Sequence, residues 1–492
     1  MSAETKRTNV RTKYYIHCAI MFVLAFVIAS LPPFAGITPL GMQVLGIFVA
    51  AIYGWSVLGL LWPSLFILVA MGCTEYCTVK EAFAAGFGND TVFTLVFIFA
   101  FAAYLEESGL SQYIANWFIS RKIGEGRPWV FTMLIFAAAF VLSAFVSTFA
   151  TIIIVWGIFY KICESVGVER KSNYATMVIA GIVITAALTG IIFTFKPFTL
   201  IFYGMVVNAT GMTDLTLPFI PWLSYNLIIG IVLIGLYLLC ARFIMRPDVT
   251  LVKEAGSKLA YLREQRMNKE QKVAMGVLVL FIASQVIPSF LPKGMPAKVF
   301  LDNLGILGCT VIALIALMIF RSKEGKPIAE VGSLINKGIS WDIVIMLAAT
   351  MPLCDALEAD STGIITSVMG WMTSVLSGAS PTMFLILVVV LFICTTQIAH
   401  NLVLMLVFIP LLAKMGLSYG IHPFVIINVI WFCAQSAFLL PASSSLSAMT
   451  YGNVQWISTK RAYMYNGMFV IIAMFVMVVL GVPLAQFIFP GM

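Results

Sequence analysis

Apolar residues run along this chain in long unbroken blocks, and the informative positions are those where polar residues interrupt them. The block Leu142–Gly157 is interrupted at its centre by Ser143, Ser147 and Thr148. A second block, Cys394–Pro410, carries Thr395, Thr396, Gln397, His400 and Asn401 in a matching place. Ser147 and Ala399 stand 252 positions apart, about half the chain. Polar breaks in corresponding apolar segments of two halves are a strong sequence pointer to a transporter's substrate site.

The remaining blocks predict crossing helices, since each bilayer span needs about 20 apolar residues. Tyr14–Leu31 lies in an amino-terminal segment, 1–37, and is followed by Thr38–Trp55, Val57–Met71 and Thr91–Leu105. Val79–Phe87 is short and amphipathic, which predicts a piece lying at the interface. Leu217–Phe243 closes the first half. Val273–Phe290, Leu304–Phe320, Trp341–Leu357 and Tyr463–Phe489 repeat the order in the second.

Four segments fit no simple span. Trp129–Phe159 is long for one crossing and short for two, so it predicts a helical hairpin (128–162) that enters and leaves on one side. Pro381–Gly416 predicts another (380–416). The span 173–207 is interrupted at Thr194-Phe195-Lys196-Pro197, where proline breaks a helix, and 423–451 is interrupted at Leu440–Ser445. The pattern predicts an all-α polytopic membrane protein with about 11 transmembrane helices and two re-entrant helical hairpins. These fall into two inverted-topology repeats, 38–244 and 273–492, joined by a charged cytoplasmic linker, 245–272.

Composition supports this class. The 492 residues are 61% hydrophobic and 10% charged, against roughly a quarter charged in soluble domains. The apolar blocks do not alternate, which argues against a β-barrel. No cleavable signal peptide is expected, because Tyr14–Leu31 is long enough to span. The nine cysteines stand mostly alone in apolar runs and read as packing residues rather than metal ligands. The net charge of +8 is spread over short loops and points to membrane topology, not to nucleic acid. With the amino-terminal segment in the cytoplasm, 24 Lys and Arg fall on the inner side and four (Lys80, Lys293, Lys298, Lys414) on the outer. The bias places the chain as a multi-pass protein of a bacterial inner (plasma) membrane.

Several stretches resemble the divalent anion/sodium symporter family of the ion transporter superfamily. Gly88-Asn89-Asp90-Thr91-Val92 with Leu105-Glu106-Glu107-Ser108-Gly109-Leu110 is similar to its fourth span. Trp341-Asp342-Ile343 with Glu358 and Gly363 is similar to its ninth, and Ala434–Pro441 to the entry of its last broken helix. The resemblance covers nearly the whole chain in order. It implies a homodimer that moves its transport domains elevator-fashion, carrying citrate, dicarboxylates or sulfate with sodium as coupling ion. The chain departs from the family at the centre. Its hairpin tips read Ser147-Thr148-Phe149 and Ala399-His400-Asn401 where the family has Ser-Asn-Thr, and its first break reads Phe195-Lys196-Pro197-Phe198-Thr199 where the family has Thr-Pro.

The candidate substrate-binding residues are Ser147, Thr148, Lys196, Pro197, Thr199, His400, Asn401, Ser443, Ser444 and Ser445. Helix amino termini at tips and breaks add positive potential suited to a small anion. Ser143, Ser147, Thr148, Asn401 and Ser447 are the candidates for a sodium ion as coupling ion, and no other cofactor is expected. Small hydroxyl residues also pack helices together, and a serine run also forms plain loops, so both readings stand. His400 reads either as a hydrogen-bonded core imidazole or as an anion or proton carrier. Lys196 has three readings: snorkelling to the interface, pairing with the substrate, or an ammonium standing in for sodium. Glu107 and Asp360 read as caps. The function expected is secondary-active transport of small di- or tricarboxylates, coupled to sodium or, alternatively, proton-coupled or sodium-independent exchange. An inorganic oxyanion carrier or a passive anion channel is the further alternative. An enzyme is not expected, since no matched nucleophile and base or metal cluster is present in the sequence.

Overall fold

The computed structural model describes residues 3–258, 266–292, 294–321, 325, 327–364, 366–367, 370, 380–441 and 443–491. Within them the chain is helical, with one isolated backbone bridge between Arg321 and Pro327. Part of the charged linker (259–265), Lys323, Lys326, Lys293 and Ala442 lie outside the described residues.

The first half comprises α1 (Ala3–Ser30), α2 (Pro39–Val57), α3 (Leu61–Met71), α4 (Val79–Phe87), α5 (Asp90–Glu107), α6 (Leu110–Ile119), α7 (Pro128–Phe145), α8 (Thr148–Val166), α9 (Asn173–Leu188), α10 (Pro197–Thr210) and α11 (Phe219–Cys240). After a short α12 (Ala255–Lys258) come α13 (Lys269–Val286), α14 (Pro296–Ile319), α15 (Val331–Gly338) and α16 (Trp341–Glu358). Then follow α17 (Pro381–Thr396), α18 (Asn401–Ser418), α19 (Pro423–Ala434), α20 (Ser445–Gly452) and α21 (Thr459–Val476). Among the described residues nine helices are long and apolar enough to cross a membrane, or ten if α4 and α5, bent by 51°, count as one span. The nine include α7, α8 and α18, which are arms of the two hairpins, whereas the broken spans are built from shorter helices, such as α9, α10 and α19.

Local chemistry explains where these helices start and stop. Thr78 and Glu81 form a reciprocal capping box that opens α4. Asn89 caps α5 by accepting from Thr91 N. Gly167, at φ 79°, ends α8 in the left-handed conformation that glycine tolerates. That end lies four residues beyond the 162 expected, so the arms α7 and α8 have 18 and 19 residues and the stretch is longer than its polar pattern suggested.

The broken spans restart where the proline and serine signals place them, but each breaks off about six residues before the interruption expected. α9 stops at Leu188 and α10 begins at Pro197, whose missing N–H costs nothing in the first turn of a helix. α19 stops at Ala434 and α20 begins at Ser445, capped by Ser444. Every residue of α9 from Tyr174 to Leu188 is buried, as is every residue of α19. Helices apolar all round belong in a core, and these two lie in the largest apolar cluster, with α7, α8, α17 and α18 packed against them. A second cluster joins the carboxyl half of α5 to α13 and α14.

The halves interlock at the centre. Asn226 of α11 donates its amide to Asn428 Oδ1 of α19 at 2.7 Å, with both residues buried. A Cβ on Gly190, in the first break, would meet the Trp431 ring at 2.3 Å, so only glycine lets the second broken span approach the first this closely. Phe198 packs against the same Trp431 at a tilt of 41°, with centroids 5.5 Å apart.

Candidate functional site

The first tip is the two-residue link between α7 and α8. Ser147 caps α8 by accepting from Ala150 N at 3.2 Å. Its own N–H donates to Glu106 Oε1 at 3.1 Å. Ser143, fully buried, places its hydroxyl 2.8 Å from Ala186 O and 3.2 Å from Thr148 Oγ1. The last carbonyls of α7 have no partner within the helix and carry its negative dipole end. Lys196 fills that role. Its Nζ donates to Ser143 O at 2.9 Å and to Val146 O at 3.1 Å. The side chain is 8% exposed, so it does not snorkel away to an interface.

Beside this tip lies a cavity of about 270 Å³. Its polar wall is formed by Glu106, Ser147, Thr148, Lys196 and Ser340, and Phe99 and Phe198 line the apolar side. The amino termini of α8 (Ser147, Thr148, Phe149) and α10 (Lys196, Pro197, Phe198) both reach it. Two helix amino termini and an ammonium on one wall make a seat for an anion.

The second tip is built differently. His400 starts α18, with its Nε2 3.4 Å from Ser445 Oγ. Asn401 N donates to Ser443 O at 2.9 Å, and the Asn401 amide donates to Ala434 O at 3.3 Å. The serines turn inward. Ser443 and Ser444 hydroxyls donate to Ala437 O at 2.8 and 2.9 Å, and Ser447 to Leu440 O at 2.7 Å. Gln397 donates to Ile393 O at 2.9 Å and Ser436 O at 3.2 Å, and accepts from Leu439 N at 3.2 Å. The carbonyls freed by this break are thus satisfied by hydroxyl and amide donors from the chain itself.

The predicted residues therefore sort into two groups. Ser147, Thr148, Lys196 and Pro197 share the cavity wall, with Ser143 directly behind them. Thr199 is fully buried and turns its hydroxyl to Phe193 O at 2.9 Å. His400, Asn401, Ser443, Ser444, Ser445 and Ser447 gather at the second tip and do not line this cavity. Phe198, on the cavity wall, is backed by Trp431 of the second broken span. The sequence reading uses Leu105–Leu110 only as part of the family resemblance and gives Glu106 no role, although Glu106 lines the cavity. The signal for it was a charged residue closing a span within that motif. Gln397 is likewise missed as a ligand of the second break. Among the described residues no group of three or more His, Cys, Asp or Glu is placed to hold a metal ion.

Comparison with known proteins follows the same lines. A family model described as a citrate transporter matches residues 47–434. An uncharacterised transporter of Haemophilus influenzae is 22% identical over 442 residues, covering 88% of this chain and 89% of that one. The sodium-dependent dicarboxylate transporter SdcS of Staphylococcus saprophyticus is 21% identical over 435 residues, 85% of this chain and 82% of its own. The protein of that name from Staphylococcus aureus (strain USA300) is 22% identical over 398 residues, covering 77% and 74%. The crystal structure of the Alcanivorax borkumensis YdaH transporter is similar in fold, with a TM-score of 0.59 at 13% identity, over 92% of this chain and all of that one.

Proposed function

This chain belongs to the citrate transporter family, and from that membership we propose that it carries small di- or tricarboxylates across a membrane without sodium. That it is a membrane transporter and not an enzyme follows from the family; the substrate and the coupling are our reading. The observation that carries the reading is the place of Lys196. Its ammonium binds the two carbonyls at the end of α7, where a bound cation would otherwise neutralise the dipole, and it lines the cavity onto which α8 and α10 point. A tethered ammonium supplies the positive charge an anion needs. At the second tip the serine hydroxyls occupy the carbonyls that would otherwise be offered to a second cation.

Several finer parts belong to the same proposal. The repeats 38–244 and 273–492 run in opposite topology, and the hairpin 128–162 opens to the cytoplasm with the amino-terminal segment, as the 24-to-4 charge bias supports. The cluster built on α9 and α19 moves against the cluster built on α5, α13 and α14 in an elevator cycle, in a homodimer of an inner membrane. The second reading is sodium symport, favoured by the name of the staphylococcal relatives. Counterflow in proteoliposomes, with labelled succinate, citrate and sulfate and with or without sodium, separates them. Carboxylate uptake that is unchanged without sodium is expected; uptake that requires sodium would sink this reading in favour of symport.

A further inference from the structure

Glu106 closes α5 beside the second apolar cluster; the hairpin tip it touches joins arms buried in the first cluster, and Phe145 at that tip packs against the second. Its Oε1 accepts from Ser147 N at 3.1 Å, and it shares the cavity wall with Lys196. The group bound at the amino terminus of α8 is therefore already a carboxylate. It is the same chemical group that a dicarboxylate substrate would bring, held by the same kind of donor, beside the same ammonium. First-turn N–H groups of α8 have no partner inside the helix, so a carboxylate there gains charge-assisted hydrogen bonds and a favourable dipole. No second carboxylate lines this cavity among the described residues.

We propose that Glu106 is a tethered competitor: it occupies one carboxylate seat of the empty site, and the substrate must displace it to bind. This rests on the carboxylate reading above and adds a specificity-determining residue to it. Displacement also breaks the hydrogen bond that ties the tip to the end of α5. Substrate entry and the loss of that tie become one event. A monocarboxylate can only exchange for Glu106, whereas a dicarboxylate displaces it and still has a second group for Lys196. The competitor thus selects against singly charged acids.

The test compares wild type, Glu106→Gln and Glu106→Asp, purified in full length, by calorimetric binding of succinate, acetate and sulfate and by counterflow. Glutamine keeps the shape and still accepts from Ser147 N, but loses the charge. Aspartate keeps the charge but is one methylene short of the tip. The expected result is about tenfold tighter succinate binding for Glu106→Gln, a smaller gain for Glu106→Asp, and acetate binding gained in Glu106→Gln, with KM falling and maximal rate not rising. A purely structural role would lower thermal stability and leave succinate binding equal or weaker, and weaker binding overturns the competitor as equal binding does. Equal succinate affinity in wild type and Glu106→Gln overturns the competitor while leaving carboxylate transport standing. Sulfate binding gained by Glu106→Gln, with no carboxylate bound by any form, upholds the competitor and overturns the carboxylate reading. Binding of no probe by any of the three overturns both.

Discussion

Lys196 Nζ and the Ser143 carbonyl oxygen lie 2.9 Å apart, and that contact joins the break in one span to the end of the hairpin arm beside it. Removing the ammonium leaves two buried carbonyls unpaired, which costs about 1–3 kcal/mol each. Lys196→Ala also leaves a gap of cation size faced by those carbonyls. Sodium-independent uptake is expected to fall at least about tenfold in Lys196→Ala, with partial recovery on adding sodium. Lys196→Met fills the gap with an apolar chain and is expected to show no recovery. Uptake assays over a sodium titration check this, and equal sodium responses in the two variants would count against the cation role.

The bond between Asn226 and Asn428 predicts a stability effect separate from transport. Asn428→Leu leaves a buried amide donor unsatisfied, at a cost of about 1–3 kcal/mol. Pairing it with Asn226→Leu removes the orphan and should recover part of the loss, because replacing both partners of a buried bond is milder than replacing one. Thermal unfolding of the single and double variants in detergent gives the coupling directly. Additive losses would mean the bond is not a unit.

Gly190→Ala is expected to unseat the two broken spans. Its Cβ would lie 2.3 Å from the Trp431 ring, a rigid group with no flexible end to move. Overpacking of this kind costs about 1–3 kcal/mol. Trp431→Leu should relieve the clash and restore part of the folded yield in the Gly190→Ala background, read by size-exclusion profile and melting temperature.

At the first tip, Ser147→Ala removes the side-chain cap on Ala150 N and should lower helix stability by about 1 kcal/mol. Ser147→Asn keeps an N-cap acceptor and should retain most of that stability while altering the cavity wall. Hydrogen exchange of the first turn of α8 reads the first effect, and counterflow reads the second. Loss of protection in both variants alike would show that the cap is not what holds this turn.

Much of this architecture was legible because breaks in membrane helices need special residues. Lys196–Pro197 and the serine run Ser443–Ser445 mark the starts of α10 and α20 within a residue or two, since proline favours the first turn and serine caps it. The polar centre of Leu142–Gly157 marks the tip for the same reason. What the sequence did not carry was the direction in which polar side chains turn. Ser443, Ser444 and Ser447 look like ligand donors in a string, yet in three dimensions their hydroxyls are taken by the carbonyls that their own break sets free. Glu106 was hidden for the opposite reason. Its partner is 41 positions away, and a carboxylate at a span end looks in sequence like an interfacial residue. The length of α8 was underestimated because Tyr160–Val166 mixes charged and apolar residues and reads as a loop, although it continues the helix to Gly167.

The tethering of the positive charge at Lys196 has an electrical consequence. A doubly charged anion riding with one ammonium moves a net charge of minus one, and the empty carrier moves plus one. Each charge crossing the full membrane potential is worth about 2.3 kcal/mol per 100 mV, so an inside-negative membrane resists both inward loading and outward empty return. Swapping one dianion for another cancels the two charge movements. Such a carrier runs freely as an exchanger whatever the voltage, and its net uptake should appear only when the potential is collapsed.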